Sequence, residues 1–375
     1  MPIQKAGGKK DGKQRYRVRI NYTDNNGKAR QIERVAYGLA EANDLETRLK
    51  AEVKEQSPIK KMTVQNLFDE YIEVKSHEVR ESSLRVSNYI LTSHVLPFLG
   101  KYRLERLNNT VLQNWKNDIS SKDYSITTQK NIYREFRAML NWAVKMEYLV
   151  KNPLTKIGNF KDPYFEKLEE KLQYYTPNQF KKYIKKAREY AETDGTITGW
   201  GYYVFFAIAF YTGMRKGEIN ALKWSDIDGD IIHVRRSIAQ KLKGEDRETP
   251  PKNKTSYRDL QAPQPLVKIL NEHQHRQQQI NGYSEDFRVC GATRCLRDSS
   301  LDNKNKKFAE AAKLPHIRIH DFRHSHASLL ANEGINIQEI ARRLGHSKIE
   351  ITWNTYSHLY PREEERAVQI LNKIE

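Results

Sequence analysis

The stretch HDFRHSHASLLANEGINIQEIARRLGHSKIEITWNTYSH, residues 320–358, predicts a series of short helices near the C-terminus. Gly334 stops one helix and Asn336 caps the next, because glycine is common where a helix ends and asparagine where one begins. The second of these helices has a single apolar stripe, formed by Ile337, Ile340, Ala341 and Leu344. A polar segment with one tyrosine, Tyr356, follows. This tyrosine could pack in the core, contact DNA or act as a nucleophile, and the remaining sequence has to distinguish these roles.

The composition favours a polyanionic partner. The chain has 375 residues with 65 lysines and arginines against 47 aspartates and glutamates, a formal net charge of +18. Such an excess is typical of proteins that bind nucleic acid or an anionic membrane surface. The longest apolar run, residues 202–211, is too short to cross a bilayer, and the N-terminus lacks the apolar segment of a secretory signal. We therefore predict a cytoplasmic protein that binds nucleic acid and has no membrane partner.

The cysteines and carboxylates do not indicate a metal centre. Cys290 and Cys295 are the only cysteines, too few for a disulfide framework. A C-x4-C pair without a second pair of ligands makes a poor zinc site. No cluster of aspartate and glutamate suggests a two-metal nuclease. The sequence therefore predicts that the protein works without a metal.

The first of three blocks, residues 1–57, predicts a small sheet followed by a helix. Residues 15–22 and 29–37 alternate basic with apolar or aromatic side chains, and Asn26-Gly27 between them is a strong hairpin signal. Basic side chains on one face of such a sheet suit contact with DNA, and the candidates are Arg15, Arg17 and Arg19. A solvated hairpin edge, protected from aggregation by its charges, is the alternative.

The second and third blocks are mainly helical. Residues 57–61 have the composition of a linker, and residues 62–160 show apolar spacing that predicts four or five short helices. The third block, residues 174–375, begins with Thr176 as a helix N-cap and Pro177 as the first helical residue. Two strand-like segments follow a buried helix in this block, which predicts a mainly α domain with a small β-sheet. The fold class is thus multidomain α+β.

Four groups of polar residues in the third block could carry chemistry. Each has an ordinary explanation: a surface ion pair, solvated lysines at a strand end, or a histidine that belongs to a helix cap. His320 and Arg323 are three residues apart, which places them on one face of a helix start. In chain order the groups are Arg215 with Glu218, Lys252 with Lys254, His320 with Arg323, and His346 with Tyr356.

Together these residue types fit metal-free cleavage of a DNA phosphodiester. A free tyrosine has a pKa of about 10, so it needs a positive site and a proton acceptor to attack at neutral pH. Two arginines can bind the non-bridging phosphate oxygens and stabilise developing charge. Lysine can protonate the leaving 5′ oxygen, and histidines can shuttle protons or donate to the phosphate.

A second interpretation is a helix-turn-helix regulator. Residues 328–347 have the pattern of such a core, which would make the helix that ends at Tyr356 a DNA-reading helix. Tyr356 would then contact a phosphate and no DNA would be cleaved. This hypothesis explains the charge but assigns no role to Arg215 or to His320 and Arg323.

The motifs TGMRKGEINALKWSDI, HDFRHSHASLL and LGHSKIEITWNTYSHL resemble the signature segments of the tyrosine recombinase (phage integrase) family. The resemblance covers the whole third block. The second block is similar to the family's helical core-binding domain, and the first resembles the arm-type DNA-binding domain of integrases from phages and conjugative transposons. The resemblance implies an enzyme that integrates and excises a mobile element.

The resemblance also implies roles for the candidate residues. Arg215 and Arg323 would hold the scissile phosphate, and Tyr356 would attack it to form a 3′-phosphotyrosine. The remaining candidates would assist: His320 and His346 in proton transfer and phosphate binding, Glu218 in orienting its neighbours, and Lys252 or Lys254 as the general acid. Lys254 is favoured because it lies four residues before Arg258, where the next strand is expected to begin.

Family members act as assemblies, so the resemblance implies a homotetramer that holds two DNA attachment sites and exchanges strands through a Holliday junction. No nucleotide cofactor is required, because the phosphotyrosine conserves the bond energy. An excision factor or a host DNA-bending protein is a possible additional partner. A relaxing topoisomerase with a similar set of residues is a third alternative. The C-terminal tail, with Ala367, Ile370, Leu371 and Ile374 on one stripe, is expected to dock either on a neighbouring protomer or on its own domain.

Overall fold

The computed structural model describes residues 2–23, 29–56, 62–161, 172–239, 247–250, 254–360, 368 and 371–372. The chain divides into two compact units, Met1–Lys167 and Leu168–Glu375. Helices predominate and the sheets are small and antiparallel, which confirms the predicted α+β class.

The N-terminal part of the first unit is a three-stranded antiparallel sheet covered by one helix. Its elements, in chain order, are β1 (Ile3–Lys10), β2 (Lys13–Thr23), β3 (Ala29–Tyr37) and α1 (Leu39–Gln56). Alternate residues of β2 are buried, Val18 completely, and they form a small core with Ala42 and Leu49 of α1. The predicted sheet and helix are confirmed, whereas the predicted Asn26-Gly27 turn lies outside the described residues.

The remainder of the first unit is a group of short helices around an apolar core. These are α2 (Val64–Glu78), α3 (Glu81–His94), α4 (Leu96–Leu99), α5 (Asn109–Ser120), α6 (Ile126–Lys145) and α7 (Leu154–Ile157). Trp115 is fully buried at the centre, and its indole N–H donates to the His94 carbonyl at 2.9 Å. The tryptophan therefore contributes to packing, since its one polar atom is satisfied inside the protein.

The second unit is organised around a helix that is buried on nearly every face. This helix, α9 (Ile197–Thr212), follows α8 (Pro177–Asp194). Thr176 accepts a hydrogen bond from the Gln179 amide at 3.3 Å, so the predicted N-cap of α8 is confirmed. Within the described ranges, no helix is long and apolar enough to span a membrane.

A small sheet and four helices connect α9 to the last part of the chain. The helices are α10 (Lys216–Ala221), α11 (Gln264–Gln278) and α12 (Asp298–Ala311), followed by α13 (Asp321–Asn332). The sheet pairs β4 (Ile227–Asp228), β5 (Ile231–Val234) and β8 (Arg258–Gln261), and a separate hairpin pairs β6 (Ser237–Ala239) with β7 (Arg247–Thr249). Val234 lies opposite Arg258, so β8 begins at the residue that the sequence predicted.

The last described elements are α14 (Ile337–Leu344) and α15 (Ile349–Tyr356). Gly334 has φ +73° just after α13, and Asn336 caps α14 by accepting from the Gln338 amide at 2.8 Å. The predicted helix end and cap are therefore confirmed. Of the predicted apolar stripe in the tail, Leu371 is exposed, while Ala367, Ile370 and Ile374 lie outside the described residues.

Candidate active site

Three arginines from separate parts of the second unit form hydrogen bonds at the C-terminal end of α14. Three consecutive backbone carbonyls there accept hydrogen bonds from guanidinium groups. The pairs are Arg258 Nε with the Arg343 carbonyl at 2.6 Å, Arg323 Nη2 with the Leu344 carbonyl at 2.6 Å, and Arg215 Nη2 with the Gly345 carbonyl at 3.2 Å. The last carbonyls of a helix have no partner within the helix and carry partial negative charge. The end of α14 is therefore a natural anchor for positive side chains.

Two glycines with positive φ lie at this site. Gly345 has φ +67°, and a Cβ atom there would lie 3.1 Å from Arg258 Nη1. Gly213 has φ +65°, and a Cβ atom there would lie 2.8 Å from a ring carbon of His326. The carbonyl of Gly213 accepts a second hydrogen bond from Arg323, at 2.8 Å. Both glycines thus supply a left-handed backbone. Gly345 leaves space for Arg258, and Gly213 leaves space for His326 while its carbonyl binds Arg323.

A buried carboxylate links two of the arginines. Glu218 Oε2 lies 2.8 Å from Arg258 Nη2, and both side chains are only 3% exposed. Its other oxygen, Oε1, accepts from Arg215 Nη1 at 2.9 Å. Burial by itself would raise the pKa of Glu218, but the guanidinium groups of Arg258 and Arg215 together lower it below the ordinary value. Glu218 is therefore ionised and orients both arginines, rather than forming the surface pair that was the ordinary alternative.

Arg215 and Arg323 form a positive site with different exposures. Arg215 is the residue before α10, and its side chain is 38% exposed. Arg323, in the first turn of α13, is almost fully buried, and desolvation together with the charge of Arg215 lowers its pKa to about 9. Its guanidinium is still mainly charged at neutral pH, and two of its hydrogen bonds are to backbone carbonyls. Both arginines can therefore offer further N–H donors to an anion.

Two predicted histidines lie at the same site and are neutral at neutral pH. His320 precedes α13 at the surface, and desolvation, His324 and Arg323 lower its pKa to about 4. His346 follows α14, and desolvation and the nearby arginines lower its pKa to about 4 as well. The Nδ1 atom of His346 is hydrogen-bonded to Thr352 Oγ1 at 2.8 Å, a contact that orients the ring. Each imidazole can donate only one N–H at a time.

Tyr356 is the last residue of α15 and is buried, with 1% of its surface exposed. Its ring packs with Ala327, Ala331, Ile340 and Leu344. Its hydroxyl is 2.6 Å from Nδ1 of His324, a half-buried residue of α13. Burial raises the pKa of Tyr356 to about 12, against the opposing effect of Arg323. The tyrosine is therefore not an exposed phosphate contact on a DNA-reading helix.

Sequence reasoning missed His324 and the structural role of Arg258. The motif accounts for His320 and Arg323 and assigns no role to His324. In the structure the ring of His324 contacts that of His320, with centroids 5.1 Å apart. An available signal was the spacing of His320 and His324, since residues four apart share a helix face. Arg258 had no such signal, because its three acceptors lie in separate segments.

Of the two predicted lysines, the structure describes the backbone of Lys254. Lys254 is the first residue of a 3-10 turn, Lys254–Ser256, that leads into β8. Its side chain and the whole of Lys252 lie outside the described part of the chain. Arg258, four residues later, ties this turn to the site through Glu218. The assignment of the lysine remains a prediction.

The three arginines predicted to contact DNA lie on β2 of the N-terminal sheet. Arg17 and Arg19 are exposed on the face of β2 opposite α1, and each forms an ion pair with Glu33 at 2.9 Å. Arg15 occupies the same face two residues earlier, opposite Tyr37 of β3. Arg17 and Arg19 are thus solvent-accessible, and Glu33 partly neutralises their charge.

Cys290 and Cys295 are buried, and burial raises the pKa of the Cys290 thiol. Across the described ranges, no group of three or more His, Cys, Asp or Glu residues is arranged to hold a metal ion.

Comparisons with known proteins find two family domains in this chain. The phage integrase family matches residues 173–363, and the N-terminal SAM-like domain of phage integrases matches residues 63–120. The chain is 27% identical over 350 residues to the ICEBs1 integrase of Bacillus subtilis (strain 168), with 91% of each chain covered. It is 30% identical over 309 residues to a XerC-like tyrosine recombinase of Caldanaerobacter subterraneus subsp. tengcongensis, with 76% of this chain and 75% of the relative covered.

A solved structure has the same fold. The integrase of transposon Tn1549 in complex with a circular intermediate DNA superimposes with a TM-score of 0.64 and 19% identity, covering 84% of this chain and 100% of that one. Fold and motifs define a tyrosine-type site-specific recombinase. The chain belongs to the phage integrase family, as an integrase of the phage or conjugative-transposon type. The hypotheses of a regulator without cleavage and of a topoisomerase are therefore set aside.

Proposed function

We propose that this integrase inserts and excises a mobile element by cleaving DNA through a 3′-phosphotyrosine and exchanging strands through a Holliday junction. The observation that carries the proposal is the arrangement at the end of α14. Arg323 and Arg215 donate there to the adjacent carbonyls of Leu344 and Gly345, and Leu344 also packs against the ring of Tyr356. A phosphate held by the two arginines would therefore lie near the tyrosine.

The proposed roles follow from the chemistry of each group. Arg215 and Arg323 bind the non-bridging oxygens and stabilise the charge that develops in the transition state. Tyr356 supplies the attacking oxygen. His320 and His346, neutral at neutral pH, donate N–H hydrogen bonds to the phosphate rather than adding charge.

The supporting residues complete the site. Glu218 keeps Arg215 in place through its buried carboxylate. Lys254, in preference to Lys252, protonates the leaving 5′ oxygen. The turn that begins at Lys254 leads directly to Arg258, which is anchored at the end of α14, and this connection favours a position near the phosphate.

The proposed domain arrangement assigns DNA contact to all three parts of the chain. Residues 1–57 bind arm-type sites through Arg15, Arg17 and Arg19, residues 62–160 bind the core sites, and residues 174–375 cleave. The partners are double-stranded attachment sites and three further copies of the chain, in a tetramer on DNA. An excision factor or a host DNA-bending protein would set the direction of recombination. The reaction takes place in the cytoplasm, with the DNA.

Trapping on a nicked suicide substrate tests this function. The substrate is built from the ends of the element that carries the gene, and no metal is added. We expect the wild type to form a covalent DNA adduct on a denaturing gel and Tyr356→Phe to form none. Tyr360→Phe is the matched control, because Tyr360 also follows α14 in the chain and its hydroxyl bonds only the backbone carbonyl of Ile335 in the described structure. DNA binding without any adduct from the wild type would refute the proposal.

A further inference from the structure

The hydroxyl of Tyr356 is in direct contact with a basic nitrogen. His324 Nδ1 lies 2.6 Å from Tyr356 Oη, and the two ring centroids are 5.7 Å apart. His324 is the residue after Arg323 on α13, and Tyr356 ends α15. The hydrogen bond therefore joins the proposed nucleophile to the helix that carries a phosphate-binding arginine.

The direction of this hydrogen bond follows from the protonation states. Burial keeps Tyr356 protonated, because its pKa is raised to about 12. Desolvation lowers the pKa of His324, Arg318 and Arg323 lower it further, and Asp321 opposes them, so the imidazole is neutral at neutral pH. The tyrosine O–H therefore donates to Nδ1, and the ring proton of His324 is on Nε2.

The carboxylates of Glu218 and Asp321 and one ring nitrogen of His346 are already engaged in other hydrogen bonds. The oxygens of Glu218 accept from Arg215 and Arg258, and Asp321 accepts from Arg318 at 3.1 Å. The Nδ1 atom of His346 is bonded to Thr352. Among the residues that the structure describes, His324 is thus the basic side chain hydrogen-bonded to the Tyr356 hydroxyl.

We propose that His324 is a further catalytic residue, the group that accepts the proton of Tyr356 when the tyrosine attacks DNA. The inference rests on the proposed function. In the cleavage step Tyr356 Oη bonds to phosphorus, the bond from phosphorus to the 5′ oxygen breaks, and the general acid protonates that oxygen. The phenolic proton moves to His324 Nδ1. In the rejoining step a 5′ hydroxyl attacks the phosphotyrosine and gives its proton to the former general acid, and His324 returns the phenolic proton to Tyr356.

The surroundings of His324 suit a group that gains a proton only during the reaction. Arg318 and Arg323 disfavour the imidazolium in the resting site, while the buried carboxylate of Asp321 favours it. His320, whose ring is in edge contact with that of His324, lies toward solvent. Asp321 would therefore stabilise the protonated acceptor, as a carboxylate does for a general-base histidine elsewhere.

His324→Asn separates proton acceptance from hydrogen bonding. The amide oxygen of asparagine can occupy roughly the position of Nδ1 and accept the same hydrogen bond, but it cannot take the proton. Single-turnover cleavage of the nicked suicide substrate is measured over a pH range from about 6.5 to about 9.5, on either side of neutrality. We expect cleavage about 100-fold slower than wild type at neutral pH, a typical effect of losing a general base. The deficit should shrink as the pH rises, because hydroxide then ionises the tyrosine.

Two further variants complete the experiment. Imidazole added to His324→Ala should restore part of the cleavage rate, whereas imidazole should not help Tyr356→Phe. His275→Asn is the control, because His275 lies on α11 and its Nδ1 bonds the carbonyl of Asn271. We expect this variant to cleave like the wild type. Binding of the intact attachment-site duplex is measured in parallel and should be unchanged in all variants.

The outcomes are distinguishable. Absence of an adduct from the wild type would refute the proposed function and this inference with it. An adduct from the wild type, with His324→Asn equally fast or faster, would mean that the hydrogen bond only restrains Tyr356, and would refute the inference alone. A deficit that is equal at every pH and is not relieved by imidazole would assign His324 a packing role and also refute it.

Discussion

Replacing Arg258 by methionine should destabilise the second unit strongly, because it removes the main partner of a buried carboxylate. Arg258 donates to Glu218 Oε2 at 2.8 Å, to the Arg343 carbonyl at 2.6 Å and to the Ser256 carbonyl at 3.0 Å. Methionine fills a similar volume and can form none of these bonds. Removing one partner of a buried ion pair costs about 3–5 kcal/mol in free energy of unfolding.

Hydrogen exchange of the full-length protein measures this change in one unit at a time. The chain has two compact units, so a single unfolding midpoint does not correspond to one free energy. The amides of α9 lie in the core of the second unit and exchange when that unit opens. A decrease of about 3 kcal/mol should accelerate their exchange more than about a hundredfold, since each ~1.4 kcal/mol corresponds to a factor of ten.

Arg342→Met is the matched control for this experiment. Arg342 is a neighbour of the same site, but its ion pair with Glu339 is largely exposed. Such pairs contribute at most about 1 kcal/mol. The double replacement of Glu218 and Arg258 by methionine should destabilise less than the sum of the single replacements. The Glu218 carboxylate is then absent and is not left buried without Arg258. Equal exchange rates in Arg258→Met and Arg342→Met would refute the reasoning.

Three further predictions concern backbone space, pH and DNA binding. Gly345→Ala should lower the free energy of unfolding more than Gly229→Ala, as measured by hydrogen exchange of α9. Both glycines have positive φ, but of the two only Gly345 would bring a Cβ atom close to another group. Equal decreases would contradict this. His326 is buried with a pKa of about 3, below its ordinary value of 6.5. Its neutral form therefore contributes stability that is present above the ordinary pKa and decreases as the pH falls toward the folded-state pKa, by about 1.4 kcal/mol per pH unit at most. The free energy of unfolding, obtained from hydrogen exchange between neutral and mildly acidic pH, should decrease less in His326→Gln than in the wild type. Identical slopes against pH would refute this. Replacing Arg17 and Arg19 by glutamine should reduce the salt dependence of binding to arm-site duplex DNA. The slope of log affinity against log salt concentration should become shallower by about 0.9 for each phosphate that the protein no longer neutralises. Fluorescence anisotropy at several salt concentrations measures the slope, and an unchanged slope would mean that neither arginine binds a phosphate.

The helices and strands could be predicted where short-range chemistry specifies them. Thr176 and Asn336 cap helices by accepting from amides two or three residues ahead, an interaction that needs only the neighbouring residues. The alternation of β2 places Val18 in the core and Arg17 and Arg19 on the other face, as period-2 spacing requires. Local patterns of this kind are complete within a few residues of sequence.

The candidate site was predictable in its residue types and only partly in its contacts. The motifs predicted Arg215, His320, Arg323, His346 and Tyr356 as site residues, and the structure places them around the ends of α13, α14 and α15. The motifs did not indicate that Glu218 is buried between two arginines. That burial depends on how α10, β8 and α14 pack, which no local pattern records.

The sequence by itself determined the types of element, the order of the candidate residues and the excess of positive charge. Only the tertiary structure decided which atoms meet: three arginines at three successive carbonyls, and the hydroxyl of Tyr356 at Nδ1 of His324. The physical reason is that a backbone carbonyl is the same chemical group in every residue, so the sequence does not mark those of residues 343–345 as acceptors. They become acceptors because α14 ends there and the chain folds the arginines onto that end.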